Sequence, residues 1–66
     1  MLSVERQLKI VEVVGQNGGV KTSDLSSMFN VSEMTILRDL SSLEQQGLLK
    51  RVYGGAVIFK KPTTEI

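Results

Sequence analysis

The residues of this sequence best suited to chemistry follow one another at helical spacing just beyond its midpoint. The outward-facing set is small or polar with one cation, and consists of Met34, Thr35, Arg38 and Ser41. An α-helix with such a face fits the major groove of DNA, where side chains near its N-terminus reach base edges. Arg38 could bind guanine bidentately or pair with a phosphate. An ordinary solvated helix can carry the same residues, so the neighbouring segments must decide.

The composition lacks the residue types that most often act in catalysis and metal binding. The chain has 66 residues, no Cys and no His, so it lacks thiolate ligands, disulfides and the commonest general base. We therefore expect no cofactor and no metal. Composition alone does not exclude catalysis. No apolar run is long enough to span a bilayer and no signal peptide is visible, which predicts a cytoplasmic location. The net charge of +1 does not by itself indicate nucleic acid.

A first helix is predicted over about residues 3–16, with Ser3 as its N-cap. Its apolar side is expected to hold Val4, Leu8, Val11 and Val14, with Ile10 beside them. The Gln-Asn-Gly-Gly run at 16–19 ends the helix. The short Val20-Lys21 segment that follows predicts no more than a strand stub.

Two more helices are predicted, one over about residues 23–29 and one from Ser32 to about Gln46. Thr22 and Ser23 can each cap the earlier helix, and because helix N-termini suit anions they are also candidate phosphate anchors. Ser32 caps the later helix, and Gly47 ends it. Its buried side is predicted to consist of Ile36, Leu40 and Leu43.

A basic β-hairpin is predicted after the third helix, because two β-capable runs flank Gly54-Gly55. Lys50 and Arg51 on its first strand could reach phosphates or a minor groove, or could simply protect an edge strand from aggregation. Strand neighbours point to opposite faces, so only one of the two is expected to face DNA. Tyr53 near the tip could contact the nucleic-acid backbone or cover the core.

Three residues of the third helix do not fit a simple DNA-reading face. Glu33 and Asp39 repel phosphate unless they are paired or turned away, and Asp39 could pair with Arg38 or a basic hairpin residue. Leu37 lies about 100° from the centre of the apolar side. It could contact a thymine methyl group, or pack beneath the hairpin, which we favour.

The order of these elements and several short motifs closely resemble the DeoR family of bacterial transcriptional repressors of sugar and nucleoside metabolism. The resemblance covers roughly residues 4–57. Its most specific parts are the Val-Ser-Glu-Met-Thr-Ile run at 31–36, Arg-Asp-Leu at 38–40 and Gly-Gly-Ala at 54–56. The family commonly has a second Arg where this chain has Leu37, and often His where it has Tyr53, which puts backbone or base contacts at position 37 in doubt.

The resemblance implies a fold that is mainly α with a small β-hairpin: a winged helix-turn-helix of three helices plus a wing over residues 1–59. Residues 60–66 would begin a linker to an absent effector-sensing domain that binds a sugar phosphate. The recognition helix would span about 32–46 and the wing about 49–58. The full-length protein would be a homo-oligomer, and the 66-residue fragment a monomer. The predicted DNA-contacting residues are Thr22, Ser23, Ser32, Glu33, Met34, Thr35, Leu37, Arg38, Ser41, Lys50, Arg51, Tyr53 and Gly54.

The leading hypothesis is therefore a domain that binds double-stranded operator DNA, with no membrane partner. The expectation that the chain is not an enzyme follows from the resemblance to the DeoR family. The alternative is a winged-helix module that binds protein or dimerises without touching DNA, which exposed Met34 and Leu37 and the near-neutral charge would favour. RNA binding is weaker still, because few aromatic side chains are available to stack on bases.

Overall fold

Residues 2–58 are described by the structure, a computed structural model. Three helices and three strands alternate along them: α1 (Ser3–Asn17), β1 (Gly19–Lys21), α2 (Thr22–Phe29), α3 (Glu33–Gln45), β2 (Leu49–Val52) and β3 (Gly55–Ile58). This order confirms the predicted winged helix-turn-helix. The linker predicted at 60–66 lies outside the described residues.

The helix ends show which predicted caps are used. Ser32 is the N-cap of α3, where its Oγ accepts a hydrogen bond from the Thr35 N–H at 3.2 Å. Ser3 is instead the first residue of α1, after Leu2, and Thr22 is the first residue of α2, after Lys21. Ser3, Thr22 and Ser23 lie inside the helices that they were predicted to cap, so these predicted capping roles are wrong. The N-cap residues Leu2 and Lys21 make no side-chain cap hydrogen bond.

The hairpin is part of a three-stranded antiparallel sheet in the order β1-β3-β2. The segment predicted as a stub forms the strand β1, whose Val20 pairs with Ala56 of β3. Gly55 makes this close pairing possible, because a Cβ at that position would lie 2.3 Å from the carbonyl oxygen of Val20. The sheet therefore ties the segment before α2 to the second strand of the wing.

The core lies where the three helices meet one side of this sheet. Its fully buried apolar side chains are Ile10, Val14, Leu25, Ile36, Leu40, Leu43, Leu49 and Ala56. The predicted buried side of α3 is confirmed. The short α2–α3 turn uses Asn30 in the left-handed region, with φ of 56°, a conformation that Asn adopts more readily than most residues.

The predicted buried side of α1 is wrong for two residues. Val4 and Leu8 are 67% and 64% exposed, whereas Ile10 and Val14 are fully buried. The helix is rotated so that the polar residues Arg6 and Gln7 face α3, where both donate hydrogen bonds to Asp39. Periodicity alone cannot distinguish this rotation, because the apolar residues of α1 extend over more than one face. None of the helices within 2–58 is long and apolar enough to cross a membrane.

Candidate nucleic-acid interface

The outward face of α3 lies opposite its buried side. Met34 and Arg38 are exposed there and Ser41 is half-buried. Gln45, which was not among the predicted site residues, is exposed about three turns beyond Met34 on the same face. The sequence alone could have placed Gln45 in the site, because it lies about two helical turns after Arg38 and therefore on the same face.

The N-terminal turn of α3 is fixed by its own side chains. The Ser32 and Thr35 hydroxyl oxygens lie 3.1 Å apart, within hydrogen-bonding distance, and Ser32 also accepts from the Thr35 N–H. Both residues therefore stabilise the end of the helix that would enter a groove first. Glu33, the first residue of α3, is exposed.

Asp39 is turned away from this face, and its partners are not the predicted ones. Its carboxylate is 5% exposed and accepts hydrogen bonds from the Arg6 Nε and Nη2 and from the Gln7 Nε2, the latter two at 3.2 Å. The hydrogen bond and the charge of Asp39 raise the pKa of Arg6, against the opposing effect of burial. Neither Arg38 nor a hairpin residue is involved, because Asp39 lies on the flank of α3 that faces α1.

Among residues 2–58, Arg38 on the outward face forms neither an ion pair nor a side-chain hydrogen bond. The ion pair between Arg6 and Asp39 is the one found within residues 2–58. A guanidinium without an internal partner keeps all its donors for an external acceptor such as a base edge or a phosphate.

Arg51 attaches the wing to the other flank of α3. Its backbone N–H donates to the Glu44 Oε2 at 3.2 Å, and its Nη1 donates to the Ser41 Oγ at 3.0 Å. Arg51 thus points to the same side of β2 as buried Leu49, and Lys50 points to the opposite side. The two cations therefore lie on opposite faces of the sheet, as the alternation of strand side chains predicted.

The wing tip is fixed to the start of α2. The carbonyl oxygen of Gly54 accepts a hydrogen bond from the Thr22 N–H at 2.9 Å. Thr22 is 5% exposed and its hydroxyl has no partner within 2–58, so it is not the accessible phosphate anchor that the sequence predicted. Ser23 beside it is exposed. Tyr53 is fully exposed at the tip, so it does not cover the core.

A groove between α3, the start of α2 and the wing brings many of the predicted residues together, and we call it the wing groove. Leu37 lies on its α3 side and is 41% exposed, so it is only partly covered by the hairpin. The residues that line the groove are Thr22, Ser23, Glu33, Leu37, Arg51, Val52, Tyr53, Gly54 and Gly55. Met34, Arg38 and Lys50 do not line it.

The chemistry available on this side of the molecule is hydrogen bonding and charge pairing. Arg38 and Arg51 offer planar sets of donors, which match guanine and phosphate acceptors. No group of three His, Cys, Asp or Glu residues within positions 2–58 is arranged to hold a metal ion.

Comparisons with known proteins agree with the helix-turn-helix fold. The sequence profile of the DeoR-like helix-turn-helix domain matches residues 6–62. The match includes all three helices except the first three residues of α1, together with all three strands.

Several curated proteins are similar over nearly the whole chain. A helix-turn-helix transcriptional regulator of Bacillus subtilis, YulB, is 47% identical over 66 residues, which are 100% of this chain and 26% of YulB. The regulator GolR of Listeria innocua is 45% identical over 60 residues, 91% of this chain and 24% of GolR. A putative aga operon transcriptional repressor of Escherichia coli is 42% identical over 62 residues, 94% of this chain and 23% of the repressor.

The chain therefore spans about a quarter of the length of these relatives. Among solved structures, none matches it.

Proposed function

The chain belongs to the DeoR-like helix-turn-helix family, and we propose that, as the DNA-binding domain of a transcriptional regulator, it reads operator bases with α3 in the major groove. Arg38 makes the central contact with a guanine, because a guanidinium fits the O6 and N7 acceptors of that base. Met34 and Ser41 on the same face supply apolar and hydroxyl contacts.

The observation that carries this proposal is that the acidic and basic side chains of α3 have different hydrogen-bond partners. The carboxylates of Asp39 and Glu44 are held by α1 and the wing, whereas Arg38 is exposed and forms no ion pair within 2–58. A helix that presents a free guanidinium and keeps two of its acids engaged elsewhere is suited to a polyanion.

The wing and the start of α2 are proposed to hold the phosphate backbone. Arg51, Tyr53 and Gly54 border the wing groove from one side and Ser23 from the other. Phosphate contacts of this kind fix the register of a protein on DNA without reading sequence. Lys50 would contact DNA only if the opposite face of the wing were also near it.

The regulator that contains this domain is proposed to be a cytoplasmic repressor of sugar-utilisation genes and not an enzyme. Relatives named as repressors of the aga and galactitol operons and of the lactose phosphotransferase system support this class. A homo-oligomeric full-length protein whose following domain senses a sugar phosphate is part of the same proposal.

The test is Arg38→Ala measured with a DNA fragment selected by the wild-type chain from a random pool. We expect the specific affinity to fall by about 1–3 kcal/mol, because a bidentate contact to guanine is lost. The matched control is Lys9→Ala, which removes an exposed cation of α1 and should leave the affinity within about twofold.

Unchanged affinity for Arg38→Ala would remove Arg38 from the interface. If the wild-type chain does not bind DNA even at low salt, where phosphate contacts are strongest, a protein-binding function replaces this proposal.

A further inference from the structure

The three acidic residues of α3 have different surroundings. Asp39 is buried against Arg6 and Gln7, and Glu44 accepts a hydrogen bond from the backbone of Arg51. Glu33 is exposed and forms no ion pair or hydrogen bond within residues 2–58. It is therefore the acid of α3 whose carboxylate remains available to an external donor.

The position of Glu33 brings it toward DNA under the proposed function. It is the first residue of α3, directly after the Ser32 cap, and the N-terminal residues of a recognition helix contact base edges. It also lines the wing groove together with Leu37, one helical turn further on. A carboxylate accepts hydrogen bonds but cannot donate them, so it repels phosphate oxygens and needs a donor.

We propose that Glu33 is a specificity-determining residue that reads a cytosine in the major groove; this inference rests on the proposed function. Cytosine presents its N4 amino donor there with no acceptor on the same edge. Guanine presents two acceptors, thymine presents one acceptor and no donor, and adenine places its N7 acceptor beside its N6 donor. A carboxylate is therefore repelled to some degree by every base except cytosine.

Leu37 strengthens the selection because it is apolar. Its side chain lines the same groove as Glu33 and is 41% exposed, so the α3 side of the groove near Glu33 offers no cation to a phosphate. Arg51 lies across the same groove but donates to Ser41 and Glu44. Within residues 2–58 Glu33 is thus neutralised neither from its own helix nor by Arg51, and a base amino group becomes the donor that satisfies it.

The experiment selects bound sequences from a random DNA pool with the wild-type chain, Glu33→Gln and Glu12→Gln. Glutamine is close in shape to glutamate but pairs bidentately with adenine N6 and N7. We expect the wild-type chain to prefer cytosine by about tenfold at one position of the site. Glu33→Gln should lose that preference or change it to adenine at the same position, with all other positions unchanged.

Glu12→Gln makes the same change of charge on the exposed face of α1 and should select the wild-type sequence. The thermal unfolding temperatures of all three proteins are measured as well. They show whether Glu33 also stabilises α3 by placing a negative charge at the positive end of the helix dipole, which is a role separate from base reading. Identical selected sequences for the wild type and Glu33→Gln would overturn the inference, whether or not stability changes, and would leave the proposed function standing. A wild-type selection that enriches no sequence would overturn both.

Discussion

Two contacts hold α3 in place, and they use similar residues in different environments. On one flank, the carboxylate of Asp39 accepts from Arg6 and Gln7 of α1, with Arg6 14% and Asp39 5% exposed. On the other flank, Arg51 of the wing donates to Ser41 and to Glu44, and those hydrogen bonds are exposed.

The difference in burial predicts which of these charged residues only stabilise the fold and which could also bind DNA. Removing one partner of a buried ion pair leaves an uncompensated charge, which is costly, whereas an exposed contact exchanges readily with water. Arg51 can therefore give up its hydrogen bond to Ser41 in favour of a phosphate, while Arg6 stays with Asp39. Substitutions at Asp39, Leu37 and Arg51 test this distinction.

Asp39→Ala should have the largest effect, on stability. We expect the free energy of unfolding to fall by about 1.5–3 kcal/mol, because Arg6 and Gln7 lose a charged acceptor in a part-buried contact. For a small domain this is a large share of the total stability. Urea denaturation followed by circular dichroism measures it. Glu12→Ala, an exposed change on α1, should stay within about 0.5 kcal/mol, and an equally small loss for Asp39→Ala would contradict the structural role.

Leu37→Arg should have the next largest effect, on DNA affinity. It adds a cation to the α3 side of the wing groove, where we expect one new phosphate contact. The slope of log K against log salt should steepen by about 0.9, and affinity at low salt should rise about tenfold. Met28→Arg adds the same charge to an exposed site that does not line the wing groove. Equal gains for both variants would show that the increase is a general charge effect.

Arg51→Ala should have the smallest effect on stability and a measurable one on salt dependence. We expect stability to change by less than about 0.5 kcal/mol, because the contacts it breaks are exposed. The salt slope should fall by about 0.9 for the lost phosphate. Lys50→Ala, which points to the other side of β2, should change the slope less. The opposite ranking would place the other face of the wing against DNA.

The elements of the fold could be predicted from the sequence because their signals are local. Ser32, Asn30 and Gly47 mark the boundaries of α3 and the turns around it, and the apolar spacing of α3 leaves one choice for its buried side. The strand β1 could be predicted only as a stub, because its three residues become part of a sheet only by pairing with β3.

The sequence predicted which residues lie near the site, but it did not predict which of them contact one another. Asp39 was recognised as an acid that needed a partner, but Arg6 lies 33 residues away and the rotation of α1 that brings it near is a tertiary effect. The same rotation exposes Val4 and Leu8, which periodicity placed inside. Thr22 carries a hydroxyl that is suited to binding phosphate, but its side chain is buried where its backbone N–H donates to Gly54 at the wing tip.

The pairing of β1 with β3 also determines when the domain can be completed during its synthesis. A ribosome that has released residues up to Gln46 has delivered all three helices, but β1 still lacks the strand that its Val20 pairs with. The backbone hydrogen bonds of β1 can therefore form only after Gly55 and Ala56 of β3 have been synthesised. A chain truncated before residue 55 would leave an unpaired strand available to other proteins, so we expect nonsense products of this gene to be substrates for proteases.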